Sequence, residues 1–285
     1  MSAKRKSTYN ELTNMQEFKS SQQLDHPQLP AVAHFLGDYA GHLLGCGVHT
    51  SRVVRNSKRI AESFNMDVTV TTLMRTMTVS VKPKNLVKDE DGKESAYTIV
   101  LDVPTGPILF AHNANLSALS WDALDQKLSL EVLRERFEKI KALPLINPWV
   151  ILLLASLANM SFCKLFGGGA IAMGIVFIAT AIGFRCRQLM TKWKFNHYMV
   201  FILSAFIASM LCASSFTITP ADSEIVMVTS VLYLIPGVPL VNGVVDIIEG
   251  FTLVGVARLI KALLLILSLA VGLGATLMIF KNSLL

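Results

Sequence analysis

The sequence predicts an α-helical polytopic membrane protein with five transmembrane helices and an N-terminal α+β cytosolic domain. Residues 1–145 carry 18 Lys or Arg and 16 Asp or Glu, as a water-soluble domain does, whereas residues 146–285 carry only 8 and 4. The second part also contains long apolar runs, and a helix needs roughly 20 mainly apolar residues to cross the hydrocarbon core. A soluble core of this size would not confine nearly all of its charge to the breaks between such runs.

The first half of the chain divides into a polar tail and a folded domain. Residues 1–29 are rich in Ser, Gln, Asn and Lys, which predicts a disordered tail. No apolar segment follows the basic cluster at the start, so no signal peptide is predicted, and the domain at 30–145 is expected to stay in the cytoplasm. Apolar spacing in this domain predicts two helices joined near residues 45–47, strands near 68–70, 77–81 and 97–103, a charged turn at 88–95, and a helix at 129–143 with Ser129 as its N-cap.

Five apolar runs in the transmembrane domain, residues 146–285, predict five spans. They lie at about 149–163, 168–184, 198–215, 225–241 and 262–280. The breaks after the second and fourth runs are basic, with Arg185, Arg187, Lys192, Lys194, Arg258 and Lys261. The break after the third run holds only Asp222 and Glu224. Because basic loops stay in the cytoplasm, we expect a multi-pass protein of the cytoplasmic (inner) membrane, with the N-terminus inside and the C-terminus outside.

The fourth apolar run contains the most informative pattern in the chain. Pro236 and Pro239 flank Gly237 within a segment that reads LIPGVPLVNG. Proline removes a backbone donor and clashes with the preceding turn, so this pattern predicts a break in the helix. The freed carbonyl groups must be buried in protein or line a wet cavity, and broken helices form the substrate sites of many transporters. The sequence therefore predicts a substrate or ion pathway at this break.

Polar side chains near the break extend the predicted pathway. Asn242 and Asp246 are four residues apart and share a helical face, which makes Asp246 the candidate carboxylate for coupling to a proton or substrate. Arg258 is expected at the cytoplasmic mouth, where it would attract an anion. Lys164 either pairs with a carboxylate or extends its amine to the outer interface. The alternative is a packing kink, with Asp246 and Glu249 solvated at the membrane edge.

The cytosolic domain has two further polar patterns. His49, Thr50 and Arg52 lie at an expected helix start, which suits an anion; alternatively, Thr50 caps the helix and Arg52 makes a surface ion pair. Three residues at intervals of four, His34, Asp38 and His42, suit metal ligands but are also common on a solvated face. No further ligand is identifiable, and the cysteines, Cys46, Cys163, Cys186 and Cys212, show no paired spacing. No metal or cofactor is therefore assigned.

Sequence patterns also limit the classes of function. The excess of six positive charges is shared between both halves and lies largely beside apolar runs, so it does not indicate nucleic-acid binding. The chain has no Walker A sequence, no GxGxxG and no GxSxG. Neither ATP-driven transport nor standard hydrolase chemistry therefore has motif support, and we do not expect an enzyme.

Three segments resemble the threonine/serine exporter family, in particular its shorter YjjP-type members. These segments are GVHTSRV at 47–53, SFCKLFGGG at 161–169 and LIPGVPLVNGVVDIIEG at 234–250, and the resemblance covers roughly residues 30–280. It implies a cytosolic domain followed by five spans. It also implies half of a split exporter, working with a small YjjB-type membrane partner in the export of threonine and serine or of succinate. His49 departs from what many relatives have at this position.

We therefore expect a subunit of a secondary transporter that exports a small carboxylate-bearing metabolite, driven by the proton gradient. A homo-oligomer in the lipid bilayer is compatible with this function. Two alternatives remain open. One is a membrane-anchored enzyme, and the other is a ligand-binding regulatory subunit that acts through the cytosolic domain.

Overall fold

The computed structural model describes residues 28–73, 75–84, 96–104 and 106–280. Nearly all of the predicted polar tail and the charged turn at 88–95 lie outside these residues. The described chain forms two compact units that divide between Leu143 and Pro144.

The first unit combines four helices with a small antiparallel sheet. The elements in chain order are α1 (Gln28–Gly45), α2 (Thr50–Ser63), β1 (Met66–Thr72), β2 (Thr76–Pro83), β3 (Tyr97–Asp102), α3 (Phe110–Gln126) and α4 (Leu130–Lys141). Strand β2 lies between β1 and β3, and Val79 of β2 pairs with Val70 of β1 and Ile99 of β3.

One hydrophobic core holds this unit together. Strand β1 alternates buried and exposed residues along its whole length, because one face of the sheet is covered by helices and the other is solvated. Helix α1 contributes the largest fully buried side chain, Tyr39, whose hydroxyl donates to the carbonyl of Leu116 at 2.8 Å. The predicted N-cap of α4 is confirmed, since the Ser129 hydroxyl accepts from the Val132 backbone N–H at 3.5 Å.

The second unit is entirely helical among the residues described. Its longer helices are α5 (Pro148–Leu165), α6 (Ala170–Lys192), α7 (His197–Cys212), α10 (Gly237–Ile248) and α11 (Thr252–Ile279). Two short helices, α8 (Ser215–Ile218) and α9 (Ser223–Thr229), and two 3₁₀ turns, at Pro220–Asp222 and Leu232–Leu234, connect α7 to α10.

Four helical segments in this unit are long and apolar enough to cross a membrane, and a fifth span exists if a bent pair counts as one. The four are Pro148–Leu165, Ala170–Lys192, His197–Ile218 and Thr252–Ile279, and the bent pair joins Pro220–Leu234 to Gly237–Ile248. The polytopic helical architecture is therefore present, and the predicted count of five applies when the bent pair forms one span.

The basic residues predicted in cytoplasmic loops lie largely within helices. Helix α6 continues through Arg185 and Arg187 to Lys192, and α11 begins at Thr252, before Arg258. The helices extend beyond the predicted spans because Arg and Lys have high helix propensity and can extend their charged ends beyond the hydrocarbon core. An apolar run marks the part of a helix suited to lipid, and the helix itself continues further.

Candidate functional site in the membrane unit

The predicted break in the fourth apolar run is a sharp bend in the structure. The segment Pro220–Leu234 and α10 meet at an angle of 64°. Only Ile235 and Pro236 separate them, and Pro236 is a buried residue at the N-cap of α10. Pro239 lies in the first turn of α10, where a missing backbone N–H interrupts no helical hydrogen bond. The chain therefore bends at Pro236, and Pro239 fits the helix that follows.

A neutral hydrogen-bond network holds the segment before the bend. The side-chain amide of Asn159 in α5 donates to the Thr180 hydroxyl at 2.7 Å and to the Thr229 carbonyl at 3.0 Å. Thr229 is the last residue of α9, so its carbonyl lies where the helix ends. Polar groups near a break in an apolar environment need partners from the protein. The Asn159 network, as we name these three groups, supplies one.

Small residues bring α10 close to α11 beyond the bend. A Cβ added at Gly255 would lie 2.6 Å from the Gly243 carbonyl oxygen, and one at Gly243 would lie 2.8 Å from a leucine methyl of α11. Gly250 has φ +89° in the turn between the two helices, a conformation that glycine adopts without strain. Glycines at both contact positions therefore allow the two backbones to approach closely, as small residues do at the contacts of packed membrane helices.

This close approach places a carboxylate against a guanidinium. The Asp246 Oδ2 atom lies 3.2 Å from the Arg258 Nε atom, and the side chain of Asp246 is fully buried while that of Arg258 is 14% exposed. Charges removed from water are stable when they are paired, and ionisable residues inside membrane helices commonly mark ion or substrate paths. Arg258, which the sequence predicts at the cytoplasmic mouth, is the partner of the predicted coupling carboxylate.

The other predicted pathway residues divide between two places. Asn242 is half-buried one turn before Asp246 on α10. Lys164 is exposed at the end of α5. Its neighbour Cys163 belongs to a hydrophobic cluster that includes Phe280, so Lys164 lies near the C-terminal end of α11. Arg258 lies about 33 Å along the helix axis from Phe280, the C-cap of α11, at about 1.5 Å per helical residue. The structure therefore groups Asn242 with the ion pair and does not bring Lys164 to it.

The predicted anion site of the first unit lies at the start of α2. His49 occupies the N-cap position, where its Nδ1 atom is 2.8 Å from the Ser51 hydroxyl, and buried Thr50 is the first helical residue. The expectation that Thr50 caps the helix was therefore wrong by one residue. Arg52 is exposed and donates to the Asn113 side chain at 3.4 Å, so its described partner is an amide rather than an acid. Anion binding here stays a prediction.

The three residues spaced four apart on α1, His34, Asp38 and His42, do not form one group in the structure. His34 and Asp38 are exposed, whereas half-buried His42 lies beside Cys46 and His112. Burial raises the pKa of the Cys46 thiol to about 11, and burial together with the nearby His112 ring lowers the pKa of His42. Sequence reasoning missed this group because His112 belongs to a helix that comes 70 residues later.

Asn159 and Thr180 were also missed, although one signal was available. An amide and a hydroxyl inside long apolar runs are costly to bury without a partner, so their presence there indicates a specific contact. The identity of the partner depends on how the helices pack, which spacing along a single run does not reveal.

Comparison with curated proteins gives two groups of relatives. The chain is 36% identical over 151 residues to two proteins named "Probable succinate transporter subunit YjjP", from Klebsiella aerogenes and from Escherichia coli K12. Those matches cover 51% of this chain and 57% of each relative. A "Probable threonine/serine exporter" of Mycobacterium tuberculosis is 21% identical over 236 residues, which cover 81% of this chain and 42% of that protein. The chain thus matches little more than half the length of its first relatives, and no solved structure matches it.

The family comparison covers much more of the chain. The ThrE profile, described as "Putative threonine/serine exporter", matches residues 34–280 and so includes most of both units and the bent helical pair. This match and the apolar helices identify a multi-pass membrane protein of a transporter family. The chain belongs to the threonine/serine exporter family.

Proposed function

We propose that this protein is a subunit of a secondary transporter that exports a small carboxylate-bearing metabolite through the region around the Asp246–Arg258 pair. The observation that carries the proposal is this ion pair, buried beside a bent span. Threonine, serine and a succinate-like dicarboxylate are the candidate substrates, since relatives carry these names. A YjjB-type membrane protein is the proposed partner, because two relatives are named as subunits.

The chemistry of the pair suits a substrate that has both charges. A zwitterionic amino acid can place its carboxylate on Arg258 and its ammonium group on Asp246, so both protein charges remain compensated during exchange. A proton on Asp246 then competes with the ammonium group. Alternating occupation of Asp246 by a proton and by substrate couples their movement in opposite directions, and the inward proton gradient thereby drives export.

A dicarboxylate would use the same pair differently. Its carboxylate can displace Asp246 from Arg258 only if Asp246 loses its charge, because an uncompensated buried carboxylate is costly. Protonation of Asp246 would then accompany substrate binding instead of competing with it. Proton dependence therefore distinguishes the two substrate classes: external acid accelerates amino-acid export, and it does not drive export of a dicarboxylate by this route.

Orientation follows from the basic residues. We propose that the first unit and the end of the helices that carries Arg187, Lys192 and Arg258 face the cytoplasm of an inner membrane. The turn that follows Lys164 and the segment that contains Asp222 then face outward. In this orientation the Asp246–Arg258 pair lies toward the cytoplasmic side, where an export substrate would first bind.

Efflux measurements on cells test the proposal. Cells that express the full chain with its partner are loaded with threonine, serine or succinate, and the loss of each compound is followed. Asp246→Asn should reduce efflux at least tenfold at an unchanged level of membrane protein. The matched control Glu249→Gln changes an exposed acid three residues later, at the C-cap of the same helix, and should retain efflux. Full efflux from Asp246→Asn, with Pro236→Ala also tolerated, would instead favour a regulatory subunit.

A further inference from the structure

A cluster of metal-ligand types lies where α1 ends and α3 begins in the first unit. The ligand atoms of His42, Cys46 and His112 all lie within 4.8 Å of one another. Within the cluster, the His42 Nε2 and His112 Nδ1 atoms are 3.2 Å apart. Cys46 is 3% exposed and His112 is 5% exposed, while His42 is half-buried, so the cluster is covered by protein with access on one side.

The local fold fixes these three side chains in place. His42 and Cys46 are four residues apart, which puts both side chains on one face, and the Cys46 N–H donates to the His42 carbonyl at 2.9 Å. The Leu109 N–H donates to the Cys46 carbonyl at 3.2 Å, immediately before α3 begins. His112 therefore lies in the first turn of α3, directly beside the end of α1.

A glycine allows the connecting segment to approach this closely. A Cβ at Gly45 would lie 2.6 Å from the Pro104 carbonyl oxygen, a separation that real Cβ atoms do not reach. The next glycine, Gly47, has φ +85° in the turn that follows α1. The positions of the thiol and of the His112 ring thus depend on backbone contacts as well as on side-chain packing.

Not every ring nitrogen of the cluster has a hydrogen-bond partner among the described protein groups. A hydrogen bond between the two imidazole rings engages one nitrogen of each. The His112 Nε2 atom is buried and has no hydrogen-bond partner among the residues that the structure describes. Buried polar groups in native proteins are normally satisfied. A histidine that binds a metal through Nδ1 carries its proton on Nε2, so this atom is left to donate to a water or another outer partner, as ligating histidines commonly do.

We propose that His42, Cys46 and His112 bind a zinc ion. Two imidazoles and a thiolate are the ligand types that zinc prefers, whereas magnesium and calcium prefer oxygen. Two nitrogen ligands of a tetrahedral zinc ion lie about 3.4 Å apart, given zinc–nitrogen bonds of about 2.0–2.1 Å. The observed 3.2 Å between His42 Nε2 and His112 Nδ1 is close to this spacing.

Three protein ligands leave a fourth tetrahedral position for water or a small anion, as in zinc sites that exchange ligands. Because His42 is half-buried, solvent can reach part of the cluster. Since the ligands come from both α1 and α3, zinc binding also joins two helices of the unit and stabilises their contact. The site is independent of the proposed transport path, because its residues all belong to the first unit.

Zinc binding is measured on the full-length protein in detergent, after treatment with a chelator and titration with zinc ions. We expect about one zinc per chain by elemental analysis and a higher thermal unfolding temperature. Cobalt ions should give a near-ultraviolet charge-transfer band from the thiolate. Cys46→Ser should abolish that band, and His112→Ala should weaken zinc binding at least tenfold. Cys186→Ser and His34→Ala are matched controls outside the cluster and should bind as the wild type does.

Two results would overturn the proposal. One is wild-type protein that takes up neither zinc nor cobalt at micromolar concentration. The other is Cys46→Ser protein that keeps the cobalt band and the zinc affinity, since the metal would then lie elsewhere. Metal uptake by the wild-type protein tests the proposal even if the Cys46→Ser variant does not fold. Transport activity is not the readout, so failure here is distinct from failure of the proposed transport function.

Discussion

Two buried polar clusters of the second unit, one before the bend at Pro236 and one after it, differ in charge. Before the bend, the Asn159 network joins neutral groups, namely an amide, a hydroxyl and a backbone carbonyl. After the bend, Asp246 and Arg258 form an ion pair. Neutral bonds of this kind hold helices in place, whereas a charged pair can exchange either partner for a proton or for a charged substrate group. We therefore propose a structural role for the first cluster and a role in transport for the second.

The largest expected effects come from removing the two charges separately and together. Arg258→Leu leaves the carboxylate of fully buried Asp246 without this cation and should cost about 3–5 kcal/mol of stability. Asp246→Leu should cost less, because the 14% exposed Arg258 side chain can extend toward water. The double variant should recover most of the lost stability, since apolar residues often replace a buried ion pair without cost.

Stability and transport should separate in this double variant. Thermal unfolding in detergent measures the first property, and efflux per unit of folded protein measures the second. We expect the Asp246→Leu, Arg258→Leu protein to unfold near the wild-type temperature and yet to lack efflux. If efflux returned together with stability, the ion pair would be structural and the contrast between the two clusters would disappear.

A second prediction concerns the helix contact that positions the ion pair. In Gly255→Ala the new Cβ would lie 2.6 Å from the Gly243 carbonyl oxygen and 2.9 Å from the Ile247 backbone nitrogen. Backbone atoms cannot move aside as a side chain can, so α10 and α11 must separate, at a cost of about 1–3 kcal/mol. Efflux should fall as well, because the separation moves Asp246 away from Arg258.

The same helix supplies the control for this variant. Gly274 also lies in α11, and an added Cβ there meets nothing within 4 Å. Gly274→Ala should therefore leave efflux unchanged and stability equal or slightly higher, because alanine has the better helix propensity. Equal behaviour of the two variants, by unfolding temperature and by efflux, would show that close packing at Gly255 does not position the pair.

The sequence predicted the parts of this molecule that depend on local pattern. Alternation along 77–81 matched a strand, the apolar runs matched membrane helices, and the proline pattern matched the bend at Pro236. Each is a signal contained within one segment. The same locality explains why the helices continue past the predicted spans to Lys192 and back to Thr252, because hydropathy reports where lipid would lie and not where hydrogen bonding stops.

The groupings of side chains could not be predicted in the same way. Asp246 was predicted as a coupling carboxylate from its own segment, but its pairing with Arg258 depends on the Gly243–Gly255 contact between two helices. His112 reaches Cys46 only because a backbone hydrogen bond from Leu109 fixes the start of α3. Contacts between distant segments follow from packing, for which a single sequence carries no periodic signal.

The smallest expected effect belongs to the neutral cluster. Asn159→Ala removes the donor to the Thr180 hydroxyl and to the Thr229 carbonyl, and should cost about 1 kcal/mol, since buried hydrogen bonds between membrane helices contribute about that much. Ser161→Ala is the control, because the exposed Ser161 hydroxyl donates only to Leu157 within the same helix. Efflux per folded protein should stay near the wild-type value in both variants. A tenfold loss of efflux in Asn159→Ala alone, at normal thermal stability, would place the transport path through the neutral cluster and reverse the assignment of the two clusters.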